Sequence, residues 1–405
     1  MQSFRIQLET LTPLFLGGAE ARGAPELRPP AFLGALRYWL RAAIGGNGHN
    51  ALEKMRELEG RVFGSAGDGN DGSSSTILIR NGAQNFKTVS YSQIVEAHKT
   101  PDGKVKIGKT GLSYLFFAAR STRNEPERSG LSGTFEIVMQ ARFALSSEKA
   151  EMRQAYAALW LLTHIGGLGS RAKRGGGNIQ VIKIDPIPQF ATDLPLLIGA
   201  TSPVSLAQEL TKGISVAKKW LNVPSNDKET YLPDFDVLDT NTCKIWVIDK
   251  EFDTSLDALN SLGLIYQGFR KWRKPDYDTV KNAMKTGQNL VQPVQRAAFG
   301  LPIPYLYRSL DKDQSILQAN DFDRRASPIS FRVLKLANKK FALVVVWFKS
   351  RFLPSQQKLK LIHHKAERFG NAPSDTIIND FLTGKDNQNQ SSLQDKGWKL
   401  IEVIL

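Results

Sequence analysis

The sequence contains a single cysteine, Cys243, among its 405 residues. One thiol cannot build a disulfide framework within the chain, and it excludes a zinc site made of cysteines. Histidine is also scarce: the chain has five, and none follows a metal-binding spacing such as His-Glu-x-x-His. The sequence therefore predicts neither a metal nor a cofactor.

Long apolar runs are missing as well. The longest covers residues 341–348, the length of a strand, whereas a membrane-spanning helix needs about 20 apolar residues. The first residues also lack the charged and then apolar layout of a signal peptide. We therefore expect a cytoplasmic protein that does not act at a membrane.

Acidic residues are fewer than basic ones, 39 against 54, which gives a net charge of +15. Such an excess favours a nucleic-acid partner first and an anionic membrane surface second. It says nothing about the fold. The length of the chain, in contrast, predicts two domains, because 405 residues exceed what one small core accommodates.

Hydrophobic periodicity in the first half predicts alternating strands and helices. The predicted elements are a strand over 2–10, a helix over 29–43, strands near 76–80, 112–119 and 133–143, a helix over 149–165 and a strand over 179–184. Without its insertions, this order is the split βαβ, or ferredoxin-like, arrangement.

The same order recurs in the second half without obvious sequence identity. The predicted elements are a strand over 244–252, a helix over 256–274, strands near 329–336 and 341–349, a helix near 374–383 and a strand over 398–405. We therefore predict an α+β protein with two ferredoxin-like (RRM-like) domains that carry insertions. Their expected bounds are 1–190 and 241–405, with a connecting segment over 191–240 that includes a helix near 205–221.

A glycine-rich basic turn over residues 166–177 separates the long helix from the last strand of the first unit. Six glycines share it with three cations: Gly166, Gly167, Gly169, Arg171, Lys173, Arg174, Gly175, Gly176 and Gly177. Glycine permits close approach of a ligand, and the cations attract an anion. We predict that the three cations clamp a phosphate backbone; the alternative is a flexible helix terminator with incidental charge.

The first helix places Gly34, Arg37 and Arg41 on one face, since they lie one turn apart. A glycine beside two arginines suits a docked phosphate backbone, although an ordinary solvated helix face fits the pattern too. Four arginines of the second half extend the predicted RNA-binding set: Arg270, Arg296, Arg324 and Arg325. Tyr266 and Trp272 lie among these cations, either as base-stacking platforms or as buried anchors.

The other residues that could take part in a reaction also have a purely structural explanation. His49 follows the first helix in a glycine-rich loop, and His164 adjoins the glycine-rich turn. Either is a candidate general acid or base for metal-free RNA cleavage; the alternative is a surface His49 and a packed or backbone-bonded His164. Asp68 and Asp71, in a Gly/Asp/Ser loop over 64–75, could position a metal or strain an RNA backbone, although a solvated loop explains them equally well. Residues 103–110 formally match an ATPase phosphate loop, but they lack the buried strand before it and the helix after it.

Three segments together resemble one family. They are LTPLFLGG at 11–18, ELRPPAFLGALRYWLRA at 26–42 and GGLGSRAKRG at 166–175. They are similar to the RAMP superfamily of CRISPR proteins and, more narrowly, to the first-numbered subunit of the Cmr (type III-B) effector complex. Segments 296–303 and 324–328 are similar to the second half of that subunit, so the resemblance covers most of the chain in pieces.

The resemblance implies two ferredoxin-like domains and a non-catalytic, RNA-binding role in a guide-RNA-directed assembly that silences invading RNA. Its partners would be single-stranded target RNA, the 3′ region of the guide RNA and other RAMP subunits, with no small-molecule substrate. The chain departs from the family at 175–178, Gly-Gly-Gly-Asn, where an aromatic often follows the first glycine. Two alternatives remain: a metal-independent endoribonuclease that processes guide precursors, and a purely structural adaptor.

Overall fold

The computed structural model describes residues 3–18, 20, 22–45, 49–66, 72–142, 148–222, 232–271, 273–354 and 356–405, without the side chains of 49–51 and 148–149. Three residues named above, Asp68, Asp71 and Trp272, lie outside this description. The roles considered for them therefore stay predictions.

The first unit contains one four-stranded antiparallel sheet covered by helices. Its elements, with those of the connecting segment, are β1 (Ser3–Thr10), α1 (Pro29–Ile44), α2 (His49–Phe63), β2 (Ile77–Ser90), α3 (Tyr91–Ile94), β3 (Ala97–Lys99), β4 (Val105–Ile107), α4 (Thr110–Leu115), β5 (Ser129–Ala141), α5 (Glu148–His164), β6 (Ile179–Asp185) and α6 (Pro203–Trp220). The strand order is β2–β5–β1–β6. This is the ferredoxin-like order, as predicted.

The second unit repeats that order in its own sheet. Its elements are β7 (Cys243–Ile248), α7 (Ser255–Arg270), α8 (Asp276–Thr286), β8 (Ile303–Tyr307), β9 (Asp313–Ala319), β10 (Ile329–Lys335), β11 (Phe341–Phe348), β12 (Leu359–His363), β13 (Ala366–Gly370), α9 (Thr376–Leu382) and β14 (Leu400–Val403). The second sheet runs β10–β11–β7–β14. The predicted α+β fold class is thus confirmed.

Two parts of the fold differ from the sequence prediction. The strand expected over 112–119 is wrong, because residues 110–115 form α4 and a 3₁₀ turn follows. This helix packs on α7, where the side-chain Oδ1 of Asn260 accepts hydrogen bonds from the amides of Gly111 and Leu112 at 3.0 and 3.2 Å. A third four-stranded sheet, β13–β12–β9–β8, and helices α2 and α8 were not predicted.

Helix α6 binds the two units together. One apolar cluster contains Leu206, Leu210 and Ile214 of this helix together with core residues of β7 and of α5. The α5–α6 contact is close, since a Cβ added at Gly213 would lie 2.0 Å from the ring of Trp160. Because the units share this core, the division at 1–190, 191–240 and 241–405 stays our proposal.

Within the described residues, no helix has the length and apolar character that a bilayer crossing requires.

The two sheets meet through their edge strands, β6 and β10. The side-chain amide of Gln180 donates to the carbonyl of Lys335 and accepts from its N–H, both at 2.9 Å. The side-chain oxygen of Asn178 accepts from the amide of Val333 at 2.8 Å. The buried Arg332 donates from Nη2 to the carbonyls of Thr163 and Ile179. Side chains of one unit thus satisfy the open edge of the other.

We predict that Gln180→Ala destabilises the protein by about 1–3 kcal/mol, because the truncation leaves backbone groups of Lys335 buried without partners. Chemical denaturation measures the free energy of unfolding. Gln314→Ala, which truncates an exposed glutamine of β9, is the matched control and should change stability little. Equal effects of the two substitutions would contradict the proposed edge contact.

Candidate nucleic-acid interface

The glycine-rich turn is fastened to the loop that follows β1. The amide of Ser170 donates to the carbonyl of Phe15 at 2.8 Å, and the amide of Gly177 donates to the carbonyl of Pro13 at 2.9 Å. The hydroxyl of Thr12 donates to the carbonyl of Gly175 at 2.7 Å. Two of the three sequence motifs, at 11–18 and 166–177, therefore form one structural unit.

Close packing accounts for several glycines of the turn. Gly177 has φ +61°, and a Cβ there would lie 1.9 Å from the carbonyl oxygen of Leu168. A Cβ at Gly166 would lie 2.2 Å from Nε1 of Trp39 on α1, and one at Gly175 would lie 2.4 Å from Leu259 on α7. The turn is thus a compact junction between α1 and α7, not a flexible terminator.

The three cations of the turn have partners within the protein. Arg171 donates to the carbonyl of Leu115 from Nε at 3.1 Å and from Nη2 at 2.6 Å. Lys173 pairs with Asp236 at 2.7 Å. Arg174 donates to the carbonyl of Phe299 at 2.9 Å, with its guanidinium 4.8 Å from the ring centre of Tyr266. Each cation ties the turn to a different segment.

These contacts affect what the cations offer to a ligand. Burial lowers the pKa of Arg171 to about 10, so this guanidinium is still charged at neutral pH. Its hydrogen-bonding capacity, however, is partly used by Leu115. The phosphate-clamp role of Arg171, Lys173 and Arg174 remains a prediction, and the contacts give all three a structural role beside it.

The arginines of α1 point away from the turn. Arg37 and Arg41 both pair with Glu59 of α2, at 2.9 and 2.8 Å. Arg37 also donates to the carbonyl of Phe63 at 2.5 Å. A Cβ at Gly34 would meet nothing within 4 Å, so this part of the helix is open. At about 100° per residue, Trp39, which meets Gly166 of the turn, lies about 140–160° around the helix from Gly34, Arg37 and Arg41.

Among the arginines of the second unit, Arg270 and Arg296 lie together, since Nη1 of Arg296 donates to the carbonyl of Arg270 at 3.4 Å. Arg270 lies against the rings of Tyr266 and Phe299, and it donates to the hydroxyl of Tyr114 at 3.0 Å. Tyr266 is itself buried in the core, which favours the anchor interpretation of this residue. Arg296 pairs with Asp276 and lies over the ring of Tyr305. Arg325 donates to the hydroxyl of Ser350 and to the carbonyl of Phe352. Arg324 is exposed.

A pocket of about 290 Å³ opens where α1, the glycine-rich turn and the second sheet meet. We call it the junction pocket. Its walls are aromatic or small, and Lys173 is the one charged residue in the lining. The lining residues are Ala31, Ala35, Tyr38, Trp39, Ile165, Gly166, Gly167, Gly169, Ala172, Lys173, Ser330, Phe331 and Phe348. The predicted glycines Gly166, Gly167 and Gly169 thus line a cavity, whereas Gly34, Arg37 and Arg41 are not part of it.

Sequence reasoning missed this pocket because its walls come from distant segments. The one local signal was the spacing of Ala31, Ala35 and Tyr38, which puts small and aromatic side chains on one face of α1. Nothing in the sequence showed that Ser330 and Phe348 of the second sheet would join this lining.

His164 is enclosed next to the turn. Its ring is 1% exposed and stacks on Trp160 at 4.1 Å. Nδ1 lies 2.9 Å from the carbonyl oxygen of Trp160, which can only accept, so Nδ1 carries the proton. Burial lowers the pKa of the imidazole to about 3. A neutral ring without solvent contact is unsuited to general acid–base catalysis.

One group of side chains within the described residues has metal-ligand chemistry: Asp313, His363 and His364, at one end of the third sheet. Nε2 of His363 already lies 2.5 Å from the carboxylate of Asp313. Nδ1 of the same buried ring has no partner among the described residues. A metal-bound histidine normally donates its other N–H, so the arrangement fits an Asp–His pair better than a metal site.

The comparisons with known proteins agree with the fold and with the resemblance. The family model of the RAMP superfamily matches residues 7–180 of this chain. The chain is 29% identical over 180 residues to the CRISPR system Cmr subunit Cmr1-2 of Pyrococcus furiosus, covering 43% of this chain and 92% of that protein. It is 23% identical over 356 residues to Cmr1-1 of the same organism, covering 88% and 90%. The expected resemblance is confirmed.

Solved structures share the fold. The crystal structure of Cmr1 from Pyrococcus furiosus in its apo form matches with a TM-score of 0.53 at 18% identity, over 100% of this chain and 99% of that one. A chain of the cryo-EM structure of type III-B Cmr-beta bound to cognate target RNA matches with a TM-score of 0.50 at 11% identity, over 87% and 96%. At these sequence identities, the similarity shows a shared fold and nothing about function.

We predict that His164 makes stability depend on pH. The unfolded chain takes up a proton near the usual histidine pKa of 6.5, whereas the folded protein does so only near 3. Stability should therefore fall as the pH drops below 6.5, by about 1.4 kcal/mol per pH unit for this group. His164→Phe retains a stacked ring but does not titrate, so denaturation at pH 7, 6 and 5 should show a shallower slope. Equal slopes of the unfolding free energy against pH in the wild-type protein and in His164→Phe would contradict the low pKa assigned to His164.

Proposed function

We propose that this protein is a non-catalytic RNA-binding subunit of a type III-B CRISPR (Cmr) ribonucleoprotein that silences invading RNA. It contacts single-stranded target RNA, the 3′ region of the guide RNA, or both, beside other RAMP subunits. The junction pocket carries the proposal, because it joins aromatic walls and backbone N–H groups at the motifs the RAMP family shares. The names of the relatives support the assembly.

The net charge of +15 supports an RNA partner over a neutral one. The cations that remain accessible are the best candidates for phosphate contacts. Arg41 is 48% exposed beside Glu59, and Arg324 is exposed. Such contacts position an RNA strand and do not select its sequence. We therefore expect binding that depends steeply on salt and weakly on base identity.

The surroundings of the candidate catalytic histidines support a non-catalytic role. The enclosed, neutral His164 cannot exchange a proton with a bound strand. The side chain of His49 lies outside the described residues, so the endoribonuclease alternative now depends on this histidine.

We predict that Arg41→Ala weakens single-stranded RNA binding several-fold and lowers the salt slope by about 0.7, the value of one phosphate contact to a single strand. Fluorescence anisotropy of the full chain with labelled RNA between 50 and 200 mM salt, roughly the range in which such contacts are lost, measures both quantities. Arg41→Lys is the matched control, since it keeps the charge and should keep the slope. An unchanged slope in Arg41→Ala would remove this arginine from the interface.

The adaptor alternative has its own outcome. Lys173→Glu puts a second negative charge next to Asp236 at the rim of the turn. If the RNA affinity of the assembled complex is unchanged, the cations of the turn serve subunit contacts. That result would favour the adaptor alternative.

We predict that the purified full chain leaves guide-repeat RNA intact in EDTA. Denaturing gels of the incubated RNA, beside RNA incubated without protein, give the result. A discrete cut that disappears in His49→Ala and persists in His164→Phe would overturn the proposal and establish the endoribonuclease instead.

A further inference from the structure

We propose that the junction pocket takes one unstacked nucleobase of a single-stranded RNA. This inference rests on the proposed RNA-binding function and adds what part of the RNA the site holds. The sequence predicted a phosphate clamp at this turn, whereas the geometry points to a base.

The walls suit a flat aromatic ring. Trp39 and Phe348 are at most 4% exposed and border the cavity, with Tyr38 beside them. Trp39 and Phe348 lie 6.2 Å apart between ring centres, at an angle of 47°. Aromatic side chains are the usual platforms for bases of single-stranded RNA. The volume of about 290 Å³ lies at the lower limit of small-ligand sites and fits one base rather than a stacked pair.

Three residues that line the pocket carry N–H groups for which the described residues provide no acceptor. The indole N–H of the buried Trp39 lies against Gly166 and donates to no described residue. The backbone N–H groups of Gly167 and Gly169 likewise have no acceptor among the described residues. Bases present ring nitrogens and carbonyl oxygens as acceptors along their edges. A base that enters the pocket satisfies donors that are otherwise left unpaired.

A phosphate is a poorer occupant. Lys173 is already neutralised by Asp236, and the same carboxylate oxygen of Asp236 accepts from the hydroxyl of Tyr38 at 2.6 Å. The lining therefore carries no net positive charge. A dianionic or monoanionic group would lose its hydration among aromatic rings without a compensating cation. The sugar-phosphate backbone stays outside, and the base enters.

The test compares RNA with and without a base. The probe is a short single-stranded RNA in which one nucleotide at a time is replaced by an abasic one, so that the number of phosphates is constant. With the full wild-type chain, we expect an abasic nucleotide at one position to reduce affinity about tenfold, the loss expected for one stacked base.

Ala35→Leu is the matching change in the protein, because it fills the cavity from α1 without altering charge. It should lower the affinity for intact RNA about tenfold, and the affinity of the variant should no longer depend on the abasic replacement. The control is Ala118→Leu, the same change at an exposed position after α4. Thermal unfolding reports whether Ala35→Leu folds; if it does not, the abasic series on the wild-type chain decides alone.

The outcomes separate the two proposals. If the wild-type chain binds every abasic RNA as tightly as intact RNA, the base pocket is overturned while the RNA-binding function stands. If Ala35→Leu still discriminates the abasic RNA as the wild-type chain does, the base binds elsewhere and the pocket is again overturned. If the wild-type chain does not bind single-stranded RNA at low salt, both proposals fail.

Discussion

The structure depends on the docking of β10, the open edge of the second sheet, against the segment that leaves the glycine-rich turn. Side-chain amides of Asn178 and Gln180 replace the neighbouring strand that this edge lacks. Arg332 is buried in the same contact and donates to the carbonyl of Thr163 in the last turn of α5. Buried backbone groups must find partners, so the contact fixes how the two units sit together.

The other features of the site follow from this contact. Once β10 is docked, Ser330 of β10 and Phe348 of β11 lie beside the turn and α1, and the junction pocket forms there. The turn must then pass between two units, which requires glycine where Gly166 approaches Trp39 and where Gly177 approaches Leu168. The same enclosure buries His164 and lowers its pKa. A pocket and an inert histidine thus share one cause.

Sequence reasoning recovered the repeated ferredoxin-like order because it depends on local signals. Pro29 starts α1, glycines follow α5, and alternating apolar residues mark β1. It failed at residues 110–115, where aromatic and apolar residues suggested a strand but contacts with α7 select a helix. It also missed the third sheet, whose short strands β8, β9, β12 and β13 carry weak individual patterns.

The sequence by itself determined the charge, the order of elements and the motifs that resemble the RAMP superfamily, since each is encoded by neighbouring residues. Only the tertiary structure decided what the cations of the turn contact. Arg171, Lys173 and Arg174 meet Leu115, Asp236 and Phe299, partners that lie far away along the chain. No local pattern specifies such partners. The turn that suggested a phosphate clamp is therefore also the junction of the two units, and it lines a pocket with aromatic residues.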